Sequence, residues 1–150
     1  MIATAGSADA RDRVRDLGAT ATLDYESDAL AAEVRAATDG AGVELVLDHK
    51  LDEYLDVDFQ VLADGGQVVS IMGHVPQTNG VPLYEREITL RGLRMDSHPV
   101  RAPTLARLAR LMERGDLTAV VADTYDLDGA AQAHRDVTAG GYVGKLVVTP

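Results

Sequence analysis

Residues Val43-Glu44-Leu45-Val46-Leu47-Asp48 form an almost unbroken run of β-branched residues and leucine that ends on an acid. A strand wetted on one face alternates apolar with polar residues, whereas a strand covered on both faces does not. This run therefore predicts a buried strand of a parallel sheet. Gln67–Met72 predicts a second one, entered through Gly65-Gly66 and closed by Gly73. Between them, Tyr54 to Ala63 has helical spacing with Leu55, Phe59 and Leu62 as its inward face. Strand, helix and strand together make one βαβ unit of about thirty residues.

The same alternation continues on both sides. Ile2–Ala5 is a short apolar strand that stops at Gly6-Ser7; Ser7 N-caps a helix through Arg13 to Leu17, and Gly18 ends it. Ala19–Leu23 reads as a strand. Ser27 or Asp28 then caps a helix carrying Leu30, Val34 and Ala37 on one face, closing at Gly40. A polar loop from His74 to Val81 leads to Ile88–Met95, expected as a strand at a sheet edge. A helix from Pro103 to Glu113 should turn Leu105, Leu108 and Leu111 inward. A short strand at Val120–Tyr125, a helix capped by Asp128 and running through Val137, and a last strand at Lys145–Val148 complete the chain. The pattern predicts an α/β fold in one domain, with a mainly parallel, doubly wound sheet.

Composition narrows the partners. The net charge is −10, from 24 acids against 14 bases, the wrong sign for a phosphate-backbone binder, so no nucleic acid is expected. With no cysteine, disulfides and thiolate metal sites are excluded. His49, His74, His98 and His134 are dispersed without metal-ligand spacing, so no metal site is expected. No apolar run approaches the ~20 residues that span a bilayer; neither a membrane nor a secretory leader is expected, and the expected compartment is the cytoplasm.

Several stretches, taken in order, resemble one family. Ile2-Ala3-Thr4-Ala5-Gly6-Ser7, Leu17-Gly18-Ala19 and Asp24-Tyr25 are similar to the second strand, helix and third strand of the cofactor domain of medium-chain dehydrogenases/reductases, of the quinone-oxidoreductase and zinc-type alcohol dehydrogenase kinds. Gly42–Asp48 resembles their fourth strand, and Leu62–Val69 with Met72-Gly73 their fifth. The ending is the most specific: Tyr125-Asp126-Leu127, Ala130–Arg135 and Gly144–Val148.

The resemblance implies an incomplete Rossmann-type domain. Family members begin it with a strand and a Gly-rich turn that receives the pyrophosphate at a helix N-terminus. Here the matching region starts at the second strand, and no G-x-G-x-x-G is present. After the fourth strand the family has a Val-Gly-Gly-like turn beside the nicotinamide, where this chain has His49-Lys50-Leu51-Asp52. The missing strand is the central one in the order 3-2-1-4-5-6, so its loss leaves the second and fourth strands with unpaired edges.

The implied cofactor is NADP, with NAD as the alternative. An acid at the tip of the second strand would hold the ribose 2′-hydroxyl of NAD; here the strand ends Ala5-Gly6-Ser7. Ser7 can donate to a phosphate and Arg11 can supply charge, while Asp9 and Asp12 stand close by and Ala10 replaces a lysine common in NADP-using members. Tyr25 corresponds to a tyrosine at the adenosine end, and Gly73 lies where the fifth strand delivers its ligand, with His74 after it. The cofactor-binding set is thus Gly6, Ser7, Arg11, Tyr25 and Gly73. Tyr142 and Lys145 are one residue short of a Tyr-x-x-x-Lys pair, and no catalytic residue is named. The resemblance implies the cofactor portion of an NADPH-dependent oxidoreductase, inactive by itself. The alternative is a non-catalytic interaction remnant, and a homodimer through the Ile88–Met95 edge is expected.

Overall fold

The computed structural model describes residues 1–76, 83–94, 96 and 100–150. Its elements are β1 (Ile2–Thr4), α1 (Ala8–Asp16), β2 (Ala21–Leu23), α2 (Leu30–Ala36), β3 (Val43–Asp48), α3 (Leu51–Val61), β4 (Leu62–Ser70), β5 (Thr89–Gly92), α4 (Ala102–Glu113), β6 (Val121–Tyr125), α5 (Ala130–Ala139) and β7 (Lys145–Val148). Every ladder is parallel, in three groups: β1–β2, β3–β4–β5 and β6–β7. This is the mixed α/β architecture that the alternation predicts. The sheet is interrupted between β1 and β3.

The core forms where α3 covers β4. Leu51, Leu55 and Phe59 of α3 pack with Leu62, Val68 and Ile88, while Leu30 and Val34 of α2 pack with Val61. Val43 and Val46 touch both clusters, so β3 joins them. The C-terminal carbonyls of α3 lack intrahelical partners, and two distant arginines supply donors. Arg35 donates to the carbonyls of Gln60 and Leu62 at 2.9 Å each. Arg86 donates to Phe59 at 2.8 Å and to Leu62, and pairs with Asp64 at 2.8 Å. Both cations also lie at the negative end of the helix.

Some boundaries differ from expectation. α3 begins at Leu51 rather than Tyr54, because the chain turns as soon as β3 ends. Gly65-Gly66 lie inside β4, where the register jumps from Val43↔Leu62 to Leu45↔Gln67; the expected turn is a bulge. Asp128 does not cap α5, whose N-cap residue is Gly129 without a side-chain cap; Asp126 Oδ1 accepts from the Gly129 amide at 2.7 Å in the turn before the helix. The edge strand is confined to β5, and Met95 lies outside the described residues, as do 77–81 of the expected loop and His98.

The largest departure is α4. Leu105 and Leu108 are exposed and no residue of the helix is buried, although the periodicity is amphipathic as expected. Among the described residues no element packs closely on this helix.

Candidate functional site

Parallel strands bring their carboxyl ends to one side of a sheet, where doubly wound folds place ligands. Gly6 and Ser7 follow β1 there, Asp24 and Tyr25 follow β2, Asp48 closes β3, and Gly73 comes just after β4. Ser7 caps α1, its Oγ accepting from the Ala10 amide at 3.2 Å. The hydroxyl is thus engaged at the N-terminus of a nine-residue helix, beside first-turn amides of the kind that receive anions.

Arg11 is not a free cation. Its guanidinium donates to the Ala5 carbonyl at 3.0 Å and to Asp24 Oδ2 at 2.9 Å, tying β1, α1 and the end of β2 together. The pair is only partly shielded. Tyr25 lies across Gly6: a Cβ there would stand 2.7 Å from Tyr25 Cζ, so any larger residue must displace the ring. The ring also meets Tyr54 edge-on, with centroids 6.4 Å apart and planes at 77°. The structure therefore brings Gly6, Ser7, Arg11 and Tyr25 together.

Gly73 stands apart from that group and against the start of α3. Its φ is +100°, and a Cβ would meet the Leu51 amide nitrogen at 3.0 Å and Asp52 Oδ1 at 3.1 Å. The first turn of α3 carries Asp52 and Glu53, which oppose an anion at that helix end. His49 and His74 are exposed near this end, and His134 is an exposed residue of α5 rather than a packed one.

Sequence reasoning did not name the most unusual groups. Between β1 and β3 lies a cavity of about 1060 Å³, lined by Ile2 and Thr4 on one side, Leu45 and Leu47 on the other, and α2 and α3 beneath. Asp48 and Asp58 border it, each buried and each with an Oδ2 lacking a hydrogen-bond partner. Burial, with the Asp48 charge as a second cause, pushes the Asp58 carboxyl up from 3.8 to about 7. In α5, Asp136 accepts from the Tyr125 hydroxyl at 2.8 Å and from Gln132 at 2.8 Å. The bond to Asp136 pushes that phenol up to about 12.

Comparison with known proteins follows the same lines. The sequence pattern described as zinc-binding dehydrogenase matches residues 17–148. Over 99% of its length the chain is 31% identical to a mycocerosic acid synthase-like polyketide synthase of Mycolicibacterium smegmatis, covering 7% of that protein. It is 25% identical, again over 99%, to the quinone oxidoreductase of Lama guanicoe, covering 46% of it. Among solved structures, an NAD-dependent alcohol dehydrogenase superposes with a TM-score of 0.82 at 29% identity. A mycobacterial protein complexed with NADPH superposes with a TM-score of 0.84 at 28% identity. Each covers 99% of this chain, which in turn covers 43% and 49% of them. The chain spans less than half the length of the relatives it matches.

Proposed function

The chain belongs to the zinc-binding dehydrogenase family, within the medium-chain dehydrogenases/reductases, and on that premise we propose that it holds the nicotinamide dinucleotide of an NADPH-dependent oxidoreductase. The reaction class is quinone or enone reduction, or alcohol dehydrogenation, and residues 1–150 alone turn over nothing. One observation carries the reading: Gly6, Ser7, Arg11 and Tyr25 converge at the carboxyl end of β1 and β2, over the N-terminus of α1.

The residues fit the adenosine end of such a group. The first-turn amides of α1 and Ser7 favour an anion, Tyr25 offers an aromatic face, and no acid stands at the tip of β1 to claim a 2′-hydroxyl. A 2′-phosphate would share Arg11 with Asp24, replacing part of an ion pair already made. Gly73 lets backbone approach at the other end. The bound nicotinamide supplies the hydride; the chain's residues bind and orient.

Zinc is a different matter. The chain has no cysteine, and the described residues bring no three His, Asp or Glu side chains together. This donor set does not fit a zinc ion, and no step through one is derived.

Titration with NADPH, followed by its fluorescence, tests the reading. Saturable binding by the chain, alone or beside the catalytic domain of a relative, is expected; none in either setting overturns it. A second reading, an interaction remnant that pairs through the outer edge of β5, draws on the bare face of α4 and the outer position of β5. It requires a dimer by light scattering without nucleotide affinity, and a monomer at micromolar concentration counts against it.

A further inference from the structure

Tyr25 sits in the turn after β2, and hydrogen bonds fix its backbone there. Asp24, held by Arg11, accepts from the Glu26 amide through Oδ1 at 3.0 Å, and its carbonyl accepts from the Ser27 amide at 3.2 Å. Those bonds place the Cα of Tyr25 and leave the ring to choose among its staggered rotamers. The ring is 40% exposed, so the side chains around it decide where it rests. Its phenol end lies against Gly6, where a Cβ would stand 2.7 Å from Tyr25 Cζ. Gly6 directly precedes Ser7, the N-cap of α1. This rotamer therefore sets the hydroxyl beside the helix end that favours anions.

Gly6 makes room for the ring but has no side chain to hold it. Tyr54 has one. Its ring meets Tyr25 at a centroid distance of 6.4 Å with the planes at 77°, the edge-to-face arrangement that aromatic quadrupoles favour. The mount is firm: Tyr54 lies in the first turn of α3, where its amide donates to the Lys50 carbonyl at 3.2 Å. Leu51 and Leu55 anchor that turn in the core. An exposed turn thus borrows order from a buried helix. Without the second ring, a bound nucleotide would have to order Tyr25 itself, and that cost comes out of affinity.

We propose that Tyr54 is a positioning residue for the 2′-phosphoadenosine end of the dinucleotide, holding Tyr25 over Gly6 before the nucleotide arrives. The role rests on the NADPH reading and extends it to a residue of α3. It concerns one half of the dinucleotide, because the nicotinamide half is assigned to the region of Gly73.

The test uses the 150-residue chain with two probes, 2′-phosphoadenosine 5′-phosphate and nicotinamide mononucleotide, each titrated by calorimetry. Tyr54→Ala should weaken the first by about two- to tenfold, the equilibrium equivalent of an edge-to-face pair, and leave the second unchanged. Tyr54→Phe keeps the ring and should match the native chain. Tyr54→Leu fills similar volume without an aromatic edge and should behave like Tyr54→Ala, which covers the case of an alanine variant that does not fold. In a Tyr25→Ala background Tyr54→Ala should have no further effect. The ring itself is followed without any nucleotide, by the nuclear Overhauser contact between the Tyr25 ring and the Gly6 Hα. That contact should be strong in the native chain and in Tyr54→Phe, and weakened in Tyr54→Ala and Tyr54→Leu. An unchanged contact in the last two overturns the proposal, as does an equal loss of affinity for both probes or a full loss in the Tyr25→Ala background. A native chain that keeps the contact yet binds neither probe overturns the NADPH reading and this role with it, so the two failures are told apart.

Discussion

Gly6 is small because the Tyr25 ring occupies the volume a side chain would need. Gly6→Ala should push that ring away from Tyr54, destabilise the chain by about 1–3 kcal/mol and weaken NADPH binding; thermal melts and fluorescence titration read the two effects. Arg11 is held by Asp24, so Asp24→Asn should free it and raise the preference for NADPH over NADH by several-fold, while Arg11→Ala should erase the preference, as parallel titrations would show. Asp58 gives a pH signature. Its carboxyl is raised from 3.8 to about 7, so between those values the native state keeps a proton that the unfolded chain has lost. Stability therefore falls as pH rises through that window and levels off above it. At ~1.4 kcal/mol per unit the whole loss is on the order of 4 kcal/mol; Asp58→Asn should flatten this slope in denaturant titrations from pH 4 to 8. Motif position makes Ser7, Arg11 and Tyr25 legible in the sequence. Their partners Asp24 and Tyr54 are not, because those contacts depend on how α1 lies over β2 and how β2 sits beside β3.

Among the elements, β3 and α4 mark what a pattern can and cannot say. The apolar run of β3 identifies a parallel strand, but the burial on both faces that it predicts is not met: Leu45 and Leu47 are 58% and 69% exposed. They stand on the face opposite Val46, and none of the described residues covers them. The 3.6-residue period of α4 likewise identifies a helix with an apolar stripe without saying what it meets. Since the stripe is bare, Leu105→Lys with Leu108→Glu should change stability by less than about 0.5 kcal/mol. Should the stripe join two copies, the same double variant would instead lower the mass seen by light scattering. α3 teaches the complementary lesson. Its lower end is closed by Arg35 and Arg86, both far away in sequence, so no local capping signal marks where it stops.

For the molecule as a whole, the interruption between β1 and β3 is legible from the order of the motifs, whereas its size and its buried carboxyl are not, since both arise from side chains of four elements. β6, α5 and β7 make their close contacts with one another. Amides in the β6–β7 ladder should therefore exchange at a lower opening free energy than those in β3–β4. The separation of the sheets also governs how the chain reaches this form. Ile2 pairs with Ala21, Leu45 with Gln67, Gln67 with Thr89 and Thr124 with Val147, so each ladder closes a loop of about twenty residues, and none waits for a long-range encounter. Folding can then proceed through four short closures, with the packing of α2 on α3 drawing the β1–β2 and β3–β4 pairs together within the one chain.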